Sequence, residues 1–319
     1  MRKLLISLVI LILLVGGVIV VFNSSKNEAK RKYGKINVIA TIYPIYDFAR
    51  EIAGDKASVS MLLSPGVELH DYEPTPQDII KIGESDLFLY LGEELEPWAG
   101  TVISGMDKRD NLKEVARNIA LVEAEEFEHE HSEEHGIHHE EHGKYDTHIW
   151  LDPTKAVKMV QNITDDLCEK DSKNSGYYRQ RATEYTKKLV ELDKSFEETV
   201  KNGKRKEIAF GGPFSYGYFV KRYDLDYVSA YDSCGEESEP SVNKVLEVVE
   251  KMKRDGLPVV FYKELSSGNI VRTIADETGA EALEFNSLHS ATKEQMESGM
   301  TYLDVMESNL NNLKRALEK

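Results

Sequence analysis

Histidine is the side chain best suited to bind a metal or move a proton near neutral pH, and its distribution here is uneven. Seven of the nine histidines lie between Glu126 and Trp150, in "EFEHEHSEEHGIHHEEHGKYDTHIW". Six of them, at positions 129, 131, 135, 138, 139 and 142, belong to a low-complexity acidic run. Glu123 to Asp146 holds ten carboxylates and one lysine, a net of −9 out of −16 for the whole chain. The run twice matches the H-x-x-E-H pattern of inverted zinc proteases, at His131–His135 and His138–His142. That chemistry needs both histidines on one face of an anchored helix. Gly136 and Gly143 interrupt the run, and Ile137 is almost the only apolar residue between His129 and Lys144. The tract therefore reads as a weak collector of several cations or as a solvated linker.

Three histidines remain: His70 in "SPGVELHDYEPTP", His148 in "DTHIWLDP" and His289 in "FNSLHSAT". Each stands at a junction between expected elements. A single loop histidine is more often a plain surface residue, so the reading rests on the three together. Neutral imidazole is the commonest protein ligand of Zn2+, and three or four N and O donors fill its shell. Three imidazoles favour Zn2+ over Mn2+, whose sites lean on oxygen. Binding requires the deprotonated ring, so it releases protons and weakens in acid. A rival centre is Ser215 in "PFSYG", Pro213 to Gly217, which sits in the strand-turn-helix context of a nucleophile elbow. Asp276 and His289 follow in the chain order of a hydrolase triad, but Pro213 replaces the first glycine of that turn. That arrangement also gives His70 and His148 no role.

The elements that must position these residues follow from apolar periodicity. "INVIATI", "SVSMLLS" and "DLFLYLG" read as strands, with a helix in "YPIYDFAREIAG" ended by Gly54 and another opened by Pro76. After Trp150, Asp152 and Pro153 form a helix start, and no strong strand signal appears before about Asn202. Tyr185, Leu189, Leu192 and Phe196 fall at helical spacing, which predicts a rigid connecting helix. "EIAFGG", "DYVSAY", "PVVFYKE" and "EALEFNS" then alternate with helices, and a closing helix runs from about Lys293. The expected fold class is α/β: two lobes with mainly parallel four-stranded sheets joined by a long helix, with metal in the cleft between them. The expected divisions are 1–34, an anchor and linker; 35–152, the first lobe with the His-rich loop 123–146; 153–203, connecting helices; and 204–319, the second lobe. No internal sequence repeat accompanies the shared texture.

Composition limits the alternatives. At 319 residues, 41% hydrophobic and 30% charged, the chain is globular beyond its first residues, and its acidic balance disfavours nucleic acid. Arg2 and Lys3 precede an unbroken apolar run from Leu4 to Phe22, about long enough to span a bilayer as a helix. It reads as an uncleaved signal anchor, with a cleaved signal peptide as the alternative. Lys26, Lys30, Arg31, Lys32 and Lys35 outnumber the leading pair and argue for the opposite orientation by the positive-inside rule; export is still the expectation. Cys168 and Cys234 are the only cysteines, and their sequence separation does not establish a disulfide.

The stretches "LLSPGVELHDYEPTPQDI", "DTHIWLDPTKAVKMVQNI", "YGYFVKRYDLDYVSAY", "EPSVNKVLEVVEKMK" and "IADETGAEALEFNSL" resemble, in order, motifs of the zinc and manganese substrate-binding proteins of bacterial ABC transporters. The resemblance covers about residues 36–319. It implies two α/β lobes on a long helix and a metal held in the cleft for delivery to a membrane permease. It also implies a His-rich acidic loop in the zinc members. His70 and His148 match the first two ligands of that family. Where the family usually has a third ligand, this chain has Pro213, and the last-loop carboxylate does not align, since "EFNSLHS" offers Asn286 and then His289. His289 is expected to supply the missing nitrogen, with Glu264 or water as the fourth donor. No lipid-acceptor cysteine follows the apolar run. The expected protein is a monomeric, non-enzymatic zinc carrier on the outer face of the cell membrane; a surface hydrolase or a metal-stabilised adhesin is the alternative.

Overall fold

Residues 36–114 build the first sheet. Its strands β1 (Ile36–Ala40), β2 (Ala57–Met61), β3 (Leu87–Tyr90) and β4 (Leu112–Glu114) are all parallel, in the order β2-β1-β3-β4. Parallel neighbours need crossovers, supplied by α1 (Tyr43–Ala53), α2 (Pro76–Glu84) and α3 (Pro97–Ser104). The computed structural model describes residues 34–67, 72–106, 109–124, 144–231, 240–266 and 268–318. The expected anchor at residues 4–22, His70, the six histidines of the acidic run and Cys234 lie outside the described residues. Among the described residues no helix is long and apolar enough to cross a membrane, and Cys168 is a buried free thiol.

Helix boundaries follow local chemistry. Thr75 and Asp78 form a reciprocal capping box at the start of α2, with Pro76 at its first position. The first helix stops at Gly54, whose φ of +52° suits glycine, and where a Cβ would collide with the Tyr177 hydroxyl. Asp152 caps α4 (Pro153–Lys170) by accepting from the Thr154 amide at 2.8 Å. A short turn then leads into α5 (Ser175–Asn202), whose 28 residues span about 42 Å. Its buried stripe, Tyr178, Ala182, Tyr185, Leu189, Leu192, Phe196 and Val200, packs against α4, α1 and the C-terminal helix.

The second sheet repeats the first. Strands β5 (Glu207–Phe210), β6 (Asp226–Ser229), β7 (Val259–Tyr262) and β8 (Glu281–Glu284) are parallel in the order β6-β5-β7-β8, the same topology as before. Helices α6 (Gly217–Tyr223), α7 (Val242–Asp255) and α8 (Asn269–Thr278) connect them. The pleat divides this sheet between two cores. Ile208, Phe210, Val259 and Phe261 face the main core, while Ala209 and Val260 face a smaller one under α7 and α8. The main core runs without interruption from the first sheet through α1, α4 and α5 into the second.

Three features depart from the sequence expectation. The helix α3 was not anticipated, and the fourth strand expected of the first sheet lies where no strand was placed: the three-residue β4 contributes "LKE", a run without β-branched or aromatic residues. The closing helix is two helices, α9 (Lys293–Glu297) and α10 (Tyr302–Glu318). Gly299 at φ +78° turns the chain between them, and Thr301 and Asp304 restart it with reciprocal hydrogen bonds of 3.0 and 3.1 Å.

Candidate metal centre

All strands of each sheet point the same way, so their C-terminal ends form one edge per lobe, and loops leaving the two edges meet where the Gly66 amide donates to Ser290 Oγ. His148 precedes a 3-10 turn at Ile149–Leu151 that feeds α4, and it is 2% exposed. The Asp146 carboxylate Oδ1 accepts from the His148 amide at 2.8 Å and makes a short contact with the ring Nδ1. A neutral imidazole whose Nδ1–H donates a hydrogen bond to a carboxylate carries its lone pair on Nε2, so Asp146 favours that tautomer and fixes the ring's orientation. Trp150 packs edge-on against the ring, with centroids 5.4 Å apart.

His289 comes from the other lobe, in the loop after β8, and is 3% exposed. Its ring centroid lies 4.4 Å from that of His148 and 5.8 Å from that of Trp150. The loop is held at each residue. The Asn286 amide donates to Asn309 Oδ1 at 2.8 Å, and Asn309 Nδ2 returns a bond to the Asn286 carbonyl. Leu288, at φ +61°, donates to Asn286 Oδ1. Such a left-handed leucine costs roughly 1–2 kcal/mol, which these bonds offset. Trp150 Nε1 donates to the Ser287 carbonyl at 2.8 Å, tying this loop to the exit of the first lobe.

Glu264, offered above as a fourth donor, has a different task in this geometry. Its Oε2 accepts from the Ser287 amide and its Oε1 from the Ser287 hydroxyl, both at 2.7 Å, while the His289 amide adds a bond of 3.2 Å. Burial pushes its carboxyl up, against the favourable influence of Lys263 and Ser287. Glu264 therefore shapes the turn that presents His289. Pro213 and Ser215 lie buried in the loop after β5, at the same sheet edge. Asp276 is exposed on α8, so the carboxylate of a Ser215 triad is not gathered in. His70 lies outside the described residues, and among the described residues no cluster of three or more metal-ligating side chains forms.

Sequence reasoning missed Asp146, Trp150, Ser287 and Asn309. Only Asp146 left a local signal, the carboxylate two residues before a histidine in "DTH".

Comparison with known proteins assigns the fold and its cleft to a lineage. The family model described as "Zinc-uptake complex component A periplasmic" (ZnuA) matches residues 38–316. The chain belongs to the ZnuA family. The high-affinity zinc uptake system protein ZnuA of Bacillus subtilis is 35% identical over 296 residues, 92% of each chain. The zinc-binding lipoprotein AdcA of Streptococcus pneumoniae is 32% identical over 311 residues, which are 96% of this chain and 61% of AdcA. This ZnuA-family chain thus spans about three-fifths of that relative. Among solved structures, the Zn(II)-bound ZnuA-like domain of Streptococcus pneumoniae AdcA superposes with a TM-score of 0.75 at 29% identity, covering 90% of this chain and all of the domain.

Proposed function

We propose that this ZnuA-family chain captures Zn2+ outside the cytoplasm, in the cleft between its lobes, and hands it to the permease of an ABC transporter. His148 and His289 supply two imidazole donors, His70 supplies a third, and water completes the shell. The observation that carries this reading is the 4.4 Å approach of two buried histidine rings from opposite lobes, one of them aimed by a carboxylate. The zinc-binding names and the Zn(II)-bound state of the relatives support the choice of metal. Residues 4–22 hold the monomer at the membrane or are removed by cleavage, and the acidic run is an auxiliary cation collector that does not form the tight site. Its working parts are then residues 1–34, 35–152, 153–203 and 204–319.

The test is calorimetric titration of the full chain with Zn2+ and with Mn2+. One tight zinc site is expected, lost in His148→Ala and in His289→Ala, and retained when residues 128–144 are deleted. Loss of tight binding on that deletion alone would place the site in the acidic run and overturn the assignment.

A further inference from the structure

In sequence His70 follows β2 and His289 follows β8. The second loop is fastened to its own lobe by Glu264 and Asn309. The first turns at residues 64–67, where the Val67 amide donates to the Ser64 carbonyl at 3.2 Å. Gly66 sits in that turn at φ +81°, a conformation glycine adopts without penalty. Its amide points across the cleft and donates to Ser290 Oγ at 2.8 Å. Gly66 lies four residues before His70, and Ser290 directly follows His289.

We propose that Ser290 is a positioning residue for metal capture: its hydroxyl latches the His70 loop to the His289 loop and so sets how fast the bound ion leaves. This rests on the zinc-capture reading above. Of the bonds that tie the His289 loop to the first-lobe side, that from Trp150 Nε1 to Ser287 is buried within the main core. The Gly66–Ser290 bond is solvent-exposed, so water replaces it readily when the cleft opens. Ser290 is half-buried and belongs to neither apolar core. Its removal acts on the closed cleft and leaves the fold intact.

The experiment loads the full chain with Zn2+ and follows release into excess chelator by stopped flow, for wild type, Ser290→Ala and Ser290→Thr. The unfolding temperature of each metal-free protein is measured alongside. The expected result is release roughly three- to tenfold faster in Ser290→Ala, the span one neutral hydrogen bond supports. Association rate and metal-free unfolding should stay unchanged, and Ser290→Thr, which keeps the acceptor, should return release to the wild-type rate. Equal release from wild type and Ser290→Ala overturns the latch while leaving zinc capture standing. Faster release accompanied by an equal loss of metal-free stability, unrescued by threonine, makes Ser290 a plain structural residue and also overturns it. A wild-type chain that holds no zinc overturns the capture reading and the latch together.

Discussion

Glu96 illustrates what one buried carboxyl does at the cleft edge of the first lobe. It is 1% exposed, and its Oε2 accepts from the Leu91 amide and, at 3.2 Å, from the Thr41 hydroxyl, joining the ends of β1 and β3. Burial pushes it up to about 7, from an ordinary value of 4.5. The folded state therefore holds the proton more tightly than the unfolded chain. The stability this confers is fully present below about pH 4.5 and is lost as pH rises through about 7. Glu96→Gln should remove the dependence. The unfolding free energy of wild type minus variant should fall by up to about 1.4 kcal/mol per pH unit across that window. Urea titrations at several pH values would show it, and a constant difference would refute it. At this scale the sequence was readable where composition stood out against its background. His148 and His289 emerge once the biased run is set aside, whereas Asp146 is hidden as the last of ten carboxylates. Glu264 was visible as a polar residue at a strand end. Its task was not, because its partners lie 23 and 25 positions away.

The helix α5 grips the second lobe through a small set of contacts. Phe196 is fully buried and meets Phe219 of α6 edge-on at 5.1 Å and Tyr223 at 5.3 Å. Beside it, Arg222 donates to both Asp193 oxygens, at 3.1 and 2.7 Å, and Tyr223 donates to Asp193 at 3.0 Å. Phe196→Ala should cost about 3–5 kcal/mol in unfolding free energy, read as a lowered urea midpoint with an unchanged slope. A loss below about 1 kcal/mol would mean that the helix is not packed as described. The stripe containing Phe196 was legible because period and residue type agree over about six turns, from Tyr178 to Val200. Strands with continuous apolar runs, such as "VVFY", were legible for the same reason. The edge strand β4 was not, since its pairing with β3 supplies what its side chains lack. The break before α10 was also missed: a glycine inside an amphipathic pattern is tolerated often enough to be overlooked, and the capping pair Thr301 and Asp304 was read as part of the helix.

Both sheets share one strand order, yet nothing in the sequence repeats, because the pattern of burial is retained while the residues that satisfy it differ. The first lobe could be read from sequence as one α/β unit and the second as another; that a single core runs through both could not. Side chains from both sheets and seven α-helices meet in that core, so the two lobes share one main interior. Scanning calorimetry of the metal-free protein should therefore show one transition, with calorimetric and van't Hoff enthalpies equal. Two resolved transitions would contradict the continuous core. The helix α10 closes this arrangement from the far end of the chain. Tyr302 donates to the carbonyl of Trp150, 152 positions earlier, and Tyr43 donates to the carbonyl of Met300, 257 positions later. A ribosome makes the chain from its first residue, and contacts between distant positions form late. The wall behind His148 is complete only after the final helix has been synthesised and has docked. Until then the newborn polypeptide has no finished cleft.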